Sequence, residues 1–218
     1  MTENLSGYGL ALHTTSPQLG LALSNFQGEE KTKTWELGRD LSTHLHVFLQ
    51  EFVSPHPWSD LTFIAVAKGP GSFTGTRIGV ATARTLAQQF NLPLFPISTL
   101  GAMAARRSST STHCYAQEFP NSNLIAVQLP ARRQQYFVGI YEVTATEVIP
   151  HLSDTIMTET AWEETLNQLS VPYQLLKTTE EKLGETVTSV LALAYQQWQQ
   201  GNRPRWEEAK PFYGQSPV

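Results

Sequence analysis

Gly69, Pro70, Gly71, Ser72, Phe73, Thr74, Gly75, Thr76 and Arg77 set glycines, hydroxyls and an arginine between an apolar strand-like run, 61–67, and a stretch of helical spacing. That is chemistry for an anion. Backbone N–H groups freed by glycine at a helix N-terminus can surround a phosphate, with Gly71, Ser72, Thr74, Gly75 and Arg77 supplying the donors. A second reading needs no ligand, because Gly71 and Gly75 also permit a sharp turn at positive φ. The spacing G-x-G-x-x-x-G departs by one residue from the dinucleotide fingerprint, and a Walker lysine is absent.

Other chemistries find less support. Leu10-Ala11-Leu12-His13-Thr14-Thr15-Ser16 resembles the phosphate hairpin of the actin, sugar kinase and heat-shock chaperone superfamily, where an aspartate ends the strand and handles magnesium. Here His13 stands in that place, and an imidazole cannot serve as the hard oxygen ligand that magnesium requires. His44 and His46 lie about 200° apart around a predicted helix and cannot share a metal ion. Ser72 is not in a G-x-S-x-G elbow, which weighs against a hydrolase. Asp154, Glu159, Glu163 and Glu164 read as helix-start charges and a solvated face. The single cysteine, Cys114, excludes an internal disulfide and reads as a surface thiol.

Composition narrows the class. The chain has 218 residues, 40% of them hydrophobic, and a net charge of −4. It is long enough for one large domain or two small ones, and it lacks the clustered basic face with which proteins hold nucleic acid by charge alone. No apolar run reaches the roughly 18 residues of a membrane span, and residues 1–4 lack the features of a signal peptide. A cytoplasmic protein with no membrane contact is expected.

The elements that must position the loop follow from periodicity and punctuation. Apolar runs at 9–14 and 19–23 flank Ser16-Pro17-Gln18, and a third strand at 33–37 follows Gln27-Gly28, so the chain opens as a β-meander. Leu41, Leu45, Phe48, Leu49 and Phe52 recur at helical spacing until Pro55 and Pro57. A strand at 61–67, the glycine loop, a helix to about Phe90 and a strand at 94–97 complete the first half. Residues 106–123, rich in Ser, Thr, Pro and Asn, read as a linker. Strands at 124–129, 135–143 and 146–150, a helix at 161–169, a strand at 173–176 and a helix at 185–200 repeat the order. The chain is expected to be α/β, a duplicated fold with lobes at 1–105 and 106–202 and a tail at 203–218.

One further pattern runs along the helix after the loop. Gly75, Gly79, Ala83 and Ala87 lie four residues apart and form a stripe of small residues that lets another backbone approach closely. Burial against the chain's own sheet and contact with a partner's helix both explain it.

The run from Gly69 to Gly79, followed by Leu94-Phe95-Pro96-Ile97-Ser98-Thr99-Leu100, resembles the TsaB (YeaZ) family of tRNA threonylcarbamoyladenosine biosynthesis proteins. The resemblance is strong over residues 60–105 and weaker beyond. It implies a two-lobed actin-like (ASKHA, ribonuclease H-like) fold without catalysis of its own. It also implies pairing with a TsaD-like catalytic subunit that modifies adenosine 37 of tRNA, joined by a TsaE-like ATPase. ATP and a metal would belong to those partner subunits, with no cofactor or metal intrinsic to this chain and tRNA touched weakly or indirectly. Pairing through helices at 40–53 and 75–90 would make Leu45, Phe48, Gly75, Gly79, Ala83 and Ala87 the interface, and a homodimer could use the same surface when the partner is absent. A bulky residue at Gly79 or Ala83 would then break the heterodimer and spare the fold. An ATP-dependent small kinase or a glycoprotease-like peptidase of the same superfamily is the alternative.

Departures from the family pattern bear on that alternative. The strand-ending Asp is His13; an Asp-Ala-Arg-x-x-Glu-Val-Tyr segment is Pro130-Ala131-Arg132-Arg133-Gln134-Gln135-Tyr136-Phe137; a P-x-Y-L-R tail is Pro211-Phe212-Tyr213-Gly214. These losses leave a scaffold role intact and weaken an independent catalytic one.

Overall fold

A computed structural model describes residues 7–109, 123–144 and 147–215. Cys114 and most of the expected linker lie outside them. The first sheet is a meander, β1 (Tyr8–His13), β2 (Gln18–Ser24) and β3 (Glu30–Glu36), joined by β4 (Leu61–Ala67) and β5 (Leu94–Ile97). Its strand order is β3-β2-β1-β4-β5, antiparallel through the meander and parallel from β1 to β5. The second sheet holds β6 (Leu124–Pro130), β7 (Gln135–Val143), β8 (Val148–Thr158) and β9 (Gln174–Lys177). It repeats the pattern as β8-β7-β6-β9, again antiparallel through its meander and parallel at β6 and β9. The expected duplicated architecture is present, with four strands in the second sheet among the described residues.

Period-two alternation decides what covers each face. Leu10 and Leu12 of β1 point into a core shared with α1 (Leu41–Val53) and α2 (Phe73–Phe90). Ala11, with Ala22, Ala65 and Ala67, points the other way, and these small residues let α5 (Val187–Gln199) close on the sheet through Val190, Leu191 and Ala194. On the second sheet, α3 (Thr99–Ser109) packs Leu100, Met103 and Ala104 against Ile125, Val127 and Tyr141. The opposite face takes Trp162 and Leu166 of α4 (Glu159–Asn167). The last helix of each half therefore packs on the other half's sheet, and α3 and α5 meet between the lobes.

The segments expected at 106–123 and 146–150 differ from their expected form. The segment from 106 begins as the end of α3, because Ser and Arg continue a helix whose apolar side is already anchored. The boundary expected at 105/106 thus falls inside α3, and the expected second lobe gives α5 to the first sheet. The strand expected at 146–150 extends to Thr158. Its register shifts opposite Gly139, where Val138 pairs with Thr155 and Ile140 with Leu152. Such a bulge turns a strand and re-aims its side chains, which is why simple alternation did not reveal its length.

The tail straps both lobes. Leu94 N–H donates to Pro204 O at 3.1 Å and Phe212 N–H to Lys68 O at 2.7 Å. Further on, Gln215 Nε2 donates to Arg132 O at 3.0 Å.

Candidate functional site

Gly71, Ser72, Thr74, Gly75 and Arg77 do come together at the start of α2, and the turn between β1 and β2 fills the space they enclose. Ser72 N–H donates to Thr15 O at 2.7 Å, and Thr76 N–H to Ser72 O at 2.9 Å. Ser72 caps α2 by accepting from Gly75 N–H at 3.3 Å. Thr14 Oγ1 donates to Gly75 O at 2.8 Å. The amides of Ser72, Gly75 and Thr76 are thus directed to protein acceptors. Thr74 and Arg77 face outward, and the Arg77 guanidinium lies over the Phe73 ring at 5.5 Å. As the helix cap, Ser72 has no histidine or carboxylate bonded to it among the described residues, so the geometry offers no hydrolase triad there.

The small-residue stripe faces inward, and this corrects the interface expected from it. Ala83 and Ala87 are fully buried under the first sheet, as is Leu45. A Cβ on Gly75 would lie 2.0 Å from Thr14 O, and one on Gly79 would lie 2.0 Å from Thr14 Oγ1. Phe48 is half-buried and stacks on Trp35 at 5.1 Å. Close approach by a neighbour is what the stripe permits, and here the chain's own β1 turn and sheet make that approach. A bulky residue at Gly79 or Ala83 therefore disturbs the fold before any interface.

The outward faces of α1 and α2 carry different residues. Val47 is 51% exposed. A groove of about 640 Å³ runs between the helices, lined by His46, Gln50, Trp58, Ala81, Thr82 and Thr85, among others. Small side chains leave this groove shallow and open to a packed helix.

His13 ends β1 with no exposure to solvent. Neither ring nitrogen has a hydrogen-bond partner among the described residues. Burial lowers its pKa to about 3, so the ring is neutral at pH 7.

A polar cluster between the lobes was not foreseen from sequence. The β8 bulge aims Asp154 at Tyr141 of β7 and at Ser98, the residue that caps α3 by accepting from Gly101 N–H at 2.9 Å. Ser98 Oγ donates to Asp154 Oδ1 at 2.9 Å, and Tyr141 OH donates to the same oxygen. Gly139 makes room for the Tyr141 ring, since a Cβ there would lie 2.8 Å from its hydroxyl. Burial raises the Asp154 pKa, while the Tyr141 and Ser98 hydroxyls and the charge of Lys68 pull it down. Burial and the Asp154 charge together raise Tyr141, which stays a donor. The expectation of a solvated, helix-start Asp154 is thus overturned; a polar residue among the alternating Leu152, Asp154 and Ile156 was the available signal.

Two sheets of one strand order, crossed by exchanged helices, define a duplicated actin-like protein of the ribonuclease H-like class. Comparison with known proteins refines that class. The model of the TsaD family, tRNA N6-adenosine threonylcarbamoyltransferase, matches residues 43–195. The tRNA threonylcarbamoyladenosine biosynthesis protein TsaB of Bacillus subtilis is 41% identical over 83 residues, 38% of this chain and 31% of that protein. TsaB of Haemophilus influenzae is 38% identical over 98 residues, 44% of this chain and 41% of that protein. The matches thus span less than half the length of these curated relatives. The solved structure of YeaZ from Pseudomonas aeruginosa superposes with a TM-score of 0.74 at 21% identity, over 95% of this chain and 99% of that one, a likeness of fold. The chain belongs to the tRNA N6-adenosine threonylcarbamoyltransferase family, among its TsaB (YeaZ) members. No helix among the described residues is long and apolar enough to cross a membrane.

Proposed function

We propose that this chain is a non-catalytic partner subunit in tRNA threonylcarbamoyladenosine biosynthesis, docking a TsaD-like catalytic subunit through the outward faces of α1 and α2. The observation that carries the reading is the filled glycine loop. Thr14 and Thr15 of the β1–β2 turn bond the start of α2, so the loop meets the chain's own backbone, and a buried, neutral His13 stands where magnesium would need an oxygen. Family membership supplies the pathway. ATP and a metal then belong to the TsaD-like subunit and a TsaE-like ATPase, and tRNA is met through the assembled complex. The cytoplasm, where tRNA is modified, is the corresponding location.

The docking surface is Val47 with the groove at Ala81, Thr82 and Thr85, not the buried stripe. Binding there would favour one geometry of the catalytic subunit, and the same face could hold a second copy of this chain when that subunit is absent. Ala81 is exposed, so Ala81→Arg should leave urea unfolding unchanged while weakening association with the TsaD-like subunit by about a hundredfold, as an unpaired charge in a packed helix interface requires. Calorimetric titration of the two purified subunits measures it. Wild-type affinity in the variant would remove this face from the account.

A further inference from the structure

The cleft between the lobes, about 380 Å³ in volume, is bounded by Lys68, Ile97, Ser98, Tyr141, Asp154 and Phe212, among others. That size lies within the roughly 300–1,000 Å³ of small-molecule sites. Its polar groups are committed on one side only. Asp154 Oδ1 accepts from both Tyr141 and Ser98, whereas Oδ2 is buried with no hydrogen-bond partner among the described residues. A buried acceptor left without a donor is costly, so Oδ2 is an unfilled demand for one.

Lys68 supplies the opposite pole. Its main chain is fixed from two directions, N–H to Ile97 O at 2.8 Å and O from Phe212 N–H at 2.7 Å. Its ammonium makes no hydrogen bond or ion pair among the described residues, yet it lies near enough to favour the ionised Asp154. Apolar groups of Ile97, Val148, Leu193 and Phe212 wall the remaining space. A lone anion would meet Lys68 and be repelled by Asp154. A hard metal ion would find a single carboxylate where several oxygen ligands are needed. A molecule with both a cationic donor and an anionic acceptor satisfies both poles and lays its side chain on the apolar wall.

We propose that this cleft binds a small zwitterion of the α-amino-acid type, its ammonium on Asp154 and its carboxylate on Lys68. The ligand would bridge the lobes, since Lys68 follows β4 and Asp154 lies on β8.

Ligand-observed NMR of the full chain with each common L-α-amino acid, at millimolar concentration, tests it. At least one should bind, and its N-acetyl and C-amide forms, each lacking one pole, should bind about tenfold more weakly or worse. Asp154→Asn and Lys68→Met should each weaken binding by a similar factor, and Lys68→Arg should retain it. Circular dichroism checks that the variants fold, and Lys68→Met, which removes only the charged head, decides the matter if Asp154→Asn does not. Binding by no free amino acid, equal binding of an acetylated or amidated form, or unchanged binding in folded Lys68→Met overturns the proposal.

Discussion

Gly75→Ala should destabilise this chain by about 2 kcal/mol, although alanine is the better helix former. In an open helix the same change would stabilise by about 1 kcal/mol. Here the added methyl would sit 2.0 Å from Thr14 O, a backbone atom that cannot rotate away. Thr14 is itself tied to Gly75 O through its hydroxyl at 2.8 Å, so relief means shifting α2 against the end of β1. Overpacking of that kind costs about 3 kcal/mol, which outweighs the gain in propensity. Urea unfolding of the isolated chain measures the loss. A stabilised Gly75→Ala would mean that the stripe faces open space, returning it to the role of interface.

Acid should weaken the fold, with His13 setting much of the slope. Its pKa falls from 6.5 to about 3 on folding because burial penalises the charged ring. Between those values the unfolded chain holds a proton that the folded chain excludes. Stability is therefore lost as pH falls from about 6.5 toward about 3, at about 1.4 kcal/mol per pH unit. Asp154, whose pKa is raised by burial, contributes in the opposite direction by taking up a proton more readily when folded. The difference between wild type and His13→Leu isolates the histidine. That difference should grow in favour of the variant at each step below pH 6.5 and stay level above it; parallel curves would show that the ring finds a partner or solvent.

The sequence was most legible where punctuation was sharp. β4 and β5 begin and end at the residues expected, since Pro57 and Gly69-Pro70 flank the apolar run of β4 and Pro93 precedes β5. The helix after the loop was equally plain. What periodicity could not give was direction: Gly75, Gly79, Ala83 and Ala87 announce a close neighbour without saying whose backbone it is. The answer lay with Thr14, 61 residues away from Gly75 in the chain. Asp154 was hidden for a different reason. A bulge changes the face that a side chain takes, and the two hydroxyls that hold this carboxylate come from Ser98 and Tyr141, 56 and 13 residues distant. The exchange of α3 and α5 between lobes was hidden likewise, because a repeat in element order carries no record of which sheet each helix covers.

The central claim is that this chain serves threonylcarbamoyl transfer by holding another subunit rather than by its own chemistry. Reconstituted modification of adenosine 37 in tRNA, assembled from the TsaD-like subunit, the TsaE-like ATPase and the activated threonylcarbamoyl donor, tests it most directly. Modification should require this chain, should persist with Ser72→Ala and Asp154→Asn at wild-type protein levels, and should fail with Ala81→Arg. Full modification without the chain, or modification that survives Ala81→Arg and is lost with Ser72→Ala, would contradict the account.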